Sequence, residues 1–189
     1  MRRDNGLSRV TARYLARSRE ILEEMKDGMS GGTPCGSIAQ DVIVRLIPQQ
    51  RAAIAMSENL LRYTTWLPLE RIAASIADAC AENAAGMERV LAQCSQPENT
   101  SAQEEQYSES RARILAAMFR DMTDIRAVNS VNAEYIRCML PLLRGTIRMA
   151  ENAQRFPLCE ELRTILEKLI REESGRVRAM QRLYRNAAY

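Results

Sequence analysis

Histidine does not occur in this chain of 189 residues, whereas sulfur is plentiful, with five cysteines and ten methionines. The absence of imidazole removes the commonest metal ligand and the commonest general base together. What remains for metal chemistry is soft: thioether and thiolate groups suit Cu(I). The candidate soft site is Met56, Met87, Met149 and Met180, two pairs that recur at one sequence offset. Methionine also fills irregular helix cores, and single cysteines behave as small buried hydrophobes, so core packing is the favoured reading of these sulfurs. Cys35, Cys80, Cys94, Cys138 and Cys159 are odd in number and irregular in spacing. That pattern suits reduced thiols in a cytoplasm better than a disulfide framework.

The carboxylates that draw attention are Glu58 and Glu151, each followed by Asn, with Arg62 and Arg155 four residues on. A ferritin-like di-iron site needs Glu together with Glu-x-x-His, which this chain does not build. The expected role is an i,i+4 ion pair on a helix surface, worth about 0.2 to 0.5 kcal/mol. No cysteine has a histidine partner and no serine lies in an elbow motif, so nucleophilic catalysis is not expected. The GxGxxG, GKS/T and CxxC patterns are absent.

Charged residues make up 27% of the chain, yet the net charge is only +3. The arginines alternate with Glu and Ala, which reads as solvated helix faces and marks no nucleic-acid surface. The opening "MRRDNGLSRV" has no apolar run behind it, and no stretch approaches the roughly 18 apolar residues of a membrane span. A cytoplasmic protein with no membrane contact is the expectation.

A repeat organises the whole sequence. "PQQRAAIAMSENLLRY" lies over "PLLRGTIRMAENAQRF" with Pro48 opposite Pro141, an offset of 93 residues. Arg51/Arg144, Met56/Met149, Glu58/Glu151, Asn59/Asn152 and Arg62/Arg155 are identical pairs, and Tyr14/Tyr107, Met25/Met118, Ser37/Ser130 and Met87/Met180 extend the register in both directions. The chain therefore reads as one helical domain over 1–189, built from an internal repeat at about 7–93 and another at about 100–186, joined near 96–101. Each repeat holds three helical patterns: about 7–29, 38–63 and 68–93, then 101–123, 131–156 and 159–186. The first is closed by "GMSGGTPCG", the second opens with a capping box at Ser37 and Gln40, and Pro68 sits where a missing N–H is harmless.

No window alternates with the period of a strand, so the fold class is all-α. The long second and third helices of both repeats should form a four-helix bundle with pseudo-twofold symmetry, flanked by the two first helices. Ile43, Ile47, Gln50, Ile54 and Leu61 fall in one row, and Val42, Leu46, Gln49, Ala53 and Met56 in the next. Gln49 and Gln50 thus face the interior, directly after a proline that frees the carbonyl of Val44, and a bond from one of them to that carbonyl or to a buried water is expected.

These stretches resemble domain of unknown function 305 (DUF305), a family of helical bundles related to the ferritin-like group. Its pattern is approximately M-x-P-H-H-x-x-A-I-x-M-A, a loop, then I-x-x-Q-x-x-E-I-x-x-M. "LIPQQRAAIAMSEN" and "MLPLLRGTIRMAEN" fit the first part, and Met87 and Met180 fit the closing methionine. The resemblance implies the bundle fold, and copper binding through histidine and methionine. At the positions of the histidine pair, however, stand Gln49 and Gln50 in one half and Leu142 and Leu143 in the other; the third helices carry Cys80 and Asn83, then Glu173 and Arg176. The resemblance makes Gln49, Gln50, Leu142 and Leu143 former ligand positions. Pro48, Pro141, Glu58, Glu151, Arg62 and Arg155 are left as the structural residues of the repeat. The expected function is that of a non-catalytic structural or protein-interaction module without cofactor, binding a protein partner or a second copy. The alternative is a residual Cu(I)-binding protein using Met and Cys.

Overall fold

Polar side chains at the helix starts set the elements in a computed structural model that describes residues 6–30, 36–93, 97–123 and 127–187. Six helices follow in order: α1 Arg9–Ser30, α2 Ile38–Leu61, α3 Leu67–Gln93, α4 Ser101–Thr123, α5 Val131–Ala153 and α6 Glu160–Ala187. Ser37 is extended and its side chain accepts from Gln40 N at 3.3 Å; Ser130 does the same for Ala133 N at 3.3 Å. A reciprocal capping box opens α4, where Thr100 Oγ1 accepts from Gln103 N and Gln103 Oε1 accepts from Thr100 N. Asn99 Oδ1 takes the amide of Ile38 at 2.8 Å, so the segment before α4 also caps α2. Cys35 and Cys94, and position 96 at the expected joint, lie outside the described residues.

The helices α2, α3, α6 and α5 close a four-membered ring, with α1 laid on α2 and α4 on α5. The described residues contain no strand, and no helix among them is long and apolar enough to cross a membrane. Helix lengths follow the sequence pattern closely, except that α2 stops at Leu61 and α5 at Ala153, short of the expected 63 and 156. Each stops in a tight turn: Tyr63 N reaches back to the Leu60 carbonyl, and Phe156 N to that of Ala153.

Contacts recur at the 93-residue offset. Asn59 Nδ2 donates to the Tyr14 carbonyl at 3.1 Å, and Asn152 Nδ2 to the Tyr107 carbonyl at 3.1 Å. Tyr14 meets Tyr63 edge-on at 6.0 Å, and Tyr107 meets Phe156 edge-on at 6.0 Å. Close approach fixes both outer helices. A Cβ at Gly28 would touch the Pro48 ring at 3.1 Å, and one at Gly145 would overlap the Met118 sulfur and lie 2.7 Å from its Cγ.

The apolar core falls into two clusters. One takes the second half of α2, the first half of α3, the first half of α5 and the far end of α6, with Met25, Met29, Met118 and Met122 from the outer helices. The other takes Ile38 to Ile47, Met87, Val90, Tyr107, Met149, Ala150 and Leu162 to Leu169. Between them, where each core helix passes from one cluster to the other, lie Gln49, Gln50, Asn83, Thr146 and Glu173, all buried.

Candidate functional site

This polar layer holds the positions that the sequence singled out. Gln49 is fully enclosed, and the Thr146 hydroxyl is shared between Gln49 Oε1 at 2.9 Å and the Leu142 carbonyl at 3.0 Å. Gln50 is 1% exposed and its Oε1 has no hydrogen-bond partner; nor has Gln49 Nε2. Neither amide donates to the Val44 carbonyl; the bond that forms is accepted by Gln49 Oε1 across the α2–α5 seam. A side chain at an inward position projects towards the neighbouring helix and not back along its own backbone. Leu142 and Leu143 are 0% and 1% exposed and pack in the first cluster.

Cys80 and Glu173 are themselves 93 apart and face each other, with Sγ 3.9 Å from Oε1. The pseudo-twofold axis therefore runs between them. Glu173 is fully buried; Arg176 Nη1 donates to its Oε1 at 3.2 Å, while Oε2 and the nearby helix's Asn83 Nδ2 have no partner. Burial pushes the Glu173 carboxyl up to about 7, against the pull of Arg176. Burial, and then the same carboxyl, push the Cys80 thiol up, so it remains protonated and inert. Tyr135 shares a hydrogen bond with Ser57 at 2.9 Å, and its hydroxyl is raised by burial, with Cys80 and Glu173 adding to the effect.

These residues do not fit a copper or zinc centre. Leucine offers no donor, amides are weak neutral ligands, and the one Gln49 oxygen is engaged by Thr146. Among the described residues no three His, Cys, Asp or Glu side chains gather as a metal site. The soft candidates separate: Met56 and Met180 lie in the first cluster, Met87 and Met149 in the second. One sulfur pair does form, Cys138 Sγ to Met56 Sδ at 4.0 Å.

The repeated glutamates are exposed, and the expected pairs Glu58–Arg62 and Glu151–Arg155 do not form. Arg62 is already the cap residue of α2, and Arg155 lies beyond α5 over the Phe156 ring at 5.9 Å. The i,i+4 geometry is lost where the helix ends. Pro48 serves as the seat for Gly28 of α1. In each "EN" pair the working residue is the asparagine, which the offset of 93 already marked.

A second polar group escaped the sequence reading. Asp41 receives Arg45 Nε at 3.1 Å and Arg111 Nη1 at 2.8 Å, and Arg45 Nη1 also donates to the Met29 carbonyl. Burial opposes the Asp41 carboxylate, but the two guanidinium groups outweigh it and hold its pKa below the ordinary value. Asp41 and Arg45 are an i,i+4 pair legible in the sequence; Arg111, 70 residues away, has no local signal.

No curated protein and no solved structure matches the chain. A family model does, over residues 40–184, which takes in the polar layer and both prolines. The chain belongs to the family described as domain of unknown function (DUF305).

Proposed function

We propose that this chain is a non-catalytic helical-bundle protein that acts as a protein-interaction module. The observation that carries the reading is the sealed centre. Gln49 is bonded to Thr146, and Leu142 and Leu143 are packed where the family pattern has histidines. The layer thus serves packing and register in place of ligand binding. A ferritin-like kinship and a cytoplasmic, bacterial setting belong to the same proposal.

The partner is a protein with an acidic surface. Antiparallel α1 and α2 bring Val10, Leu61 and Leu67 to one end of the bundle, where Val128 at the start of α5 and Tyr184 near the end of α6 also stand exposed. Arg9, Arg13, Arg62, Arg71, Arg182 and Arg185 belong to the same end and make no ion pair with the described residues; Glu58, Glu70, Asp121 and Glu172 are the described acids near them. Apolar anchors ringed by unpaired guanidinium groups suit a carboxylate-bearing protein face.

Loading with Cu(I) under reducing conditions, followed by intact-mass and metal analysis, tests the sealed centre. The expected result is no stoichiometric copper. One copper per chain, lost in Met56→Leu with Met149→Leu, would establish the alternative, a soft site for which the Cys138–Met56 contact is the nucleus.

A further inference from the structure

At one further pair of equivalent places the two halves differ in a way that leaves a cavity. In one half, Tyr107, Arg111, Asp41, Arg45 and Met29 converge, and the guanidinium groups of Arg45 and Arg111 fill the space beside the Asp41 carboxylate. Arg111 also lies over the Tyr107 ring at 5.7 Å. The residues 93 away are Tyr14, Ser18, Glu134, Cys138 and Met122. The tyrosine, the carboxylate and the methionine are retained there, but serine and cysteine stand where the two arginines were. These five residues line a cavity of about 270 Å³ between α1, α4 and α5.

We propose that this cavity binds a guanidinium group carried on a short apolar stem, the group that the chain itself supplies at the equivalent place. Glu134 is the counter-charge. Its Oε1 accepts from Val128 N and meets Arg137 of its own helix at 3.5 Å, whereas Oε2 makes no hydrogen bond among the described residues. A planar cation with several fixed donors matches such a carboxylate edge better than a point charge does. Tyr14 lines the cavity at the place equivalent to Tyr107, over which Arg111 lies, and Leu15 and Leu22 supply apolar wall for the stem. Arg19 and Glu23 stand at the rim with opposite charges, so among the described residues the carboxylate that faces the cavity is Glu134, with Arg137 beside its Oε1. The Cys138 thiol, pushed up to about 12 by burial and then by Glu134, stays neutral beside it.

Agmatine is the probe for a free small molecule, and a terminally blocked Gly-Arg-Gly peptide is the probe for an arginine side chain offered by another protein. Both are titrated into the intact protein and followed by amide shifts of α1 and α5. Saturable binding of agmatine with shifts at Tyr14, Ser18 and Cys138 is expected, together with no effect of butylurea, the neutral analogue. Binding of agmatine alone assigns the free molecule as source; binding of the peptide as well assigns an arginine side chain. Ser18→Arg with Cys138→Arg rebuilds the filled counterpart and should abolish binding while keeping the fold. Glu134→Gln should weaken it by about tenfold or more, the loss of one charge-assisted hydrogen bond. Absence of binding by either cation, equal binding of butylurea, or unchanged affinity in both variants would overturn the proposal.

Discussion

Replacing Glu173 by Gln isolates the cost of a carboxylate held at the centre of the bundle. The group titrates at about 7 in the folded chain against an ordinary value of 4.5. At about 1.4 kcal/mol per tenfold difference in proton affinity, the contrast is worth about 3 kcal/mol. The folded pKa is raised, so the native state binds the proton more tightly than the unfolded chain. The stabilisation is fully present below about pH 4.5 and is lost as pH rises through 7. Glutamine keeps the shape and is neutral throughout, so it loses this dependence. Arg176 remains partnered in the variant, because Glu172 Oε2 lies 3.6 Å from its Nη2. Urea unfolding of both proteins at pH 5 and pH 8 reads the effect as a difference of differences, in which other titrating groups, Asp41 included, cancel. Glu173→Gln should gain about 2 to 3 kcal/mol relative to the parent between the two pH values. A stability difference that is the same at both would refute the reasoning.

Gly145→Ala should destabilise by about 1 to 3 kcal/mol, because the added methyl overlaps Met118; thermal denaturation checks it. Gly175→Ala, in α6 with nothing within 4 Å of the new methyl, should stabilise by about 0.4 to 1 kcal/mol in the same assay. Asn59→Ala removes the bond that holds α1 on α2 and should cost about 1 to 3 kcal/mol, with faster amide exchange along α1 than along α4. Gln49→Leu with Gln50→Leu, copying Leu142 and Leu143, should be neutral or stabilising by chemical denaturation. It removes two orphaned amide atoms, and Thr146 keeps its bond to the Leu142 carbonyl.

The helices were legible because their signals are local: Ser37 and Ser130 at the caps, Pro68 at a first turn, apolar rows at helical spacing. The inward direction of Gln49 and Gln50 followed from the same rows. Their partner did not, because Thr146 is brought in by the packing of α5 against α2, 97 residues away. The Glu58 and Glu151 pairs failed for a boundary reason: a shortfall of two or three residues in helix length removes an i,i+4 neighbour. The Asp41–Arg111 bridge and its missing counterpart at Glu134 and Ser18 could be seen only once α4 and α1 were docked. Residue identity at the 93-residue offset marked the tyrosines, but the informative positions there are those that differ.

Cys80 and Glu173 meet on the axis that relates the two halves. In a dimer of identical chains, a residue on the dyad faces its own copy and must tolerate itself, and two buried glutamates 4 Å apart would not. Covalent joining of the halves lifts that demand. One side of the dyad can mutate while the other stays, so a carboxylate can sit against a thiol, amides against leucines, and an open cavity against a filled one. The single chain is thus free to give its two halves separate tasks, which a symmetric assembly of the same helices would have to share.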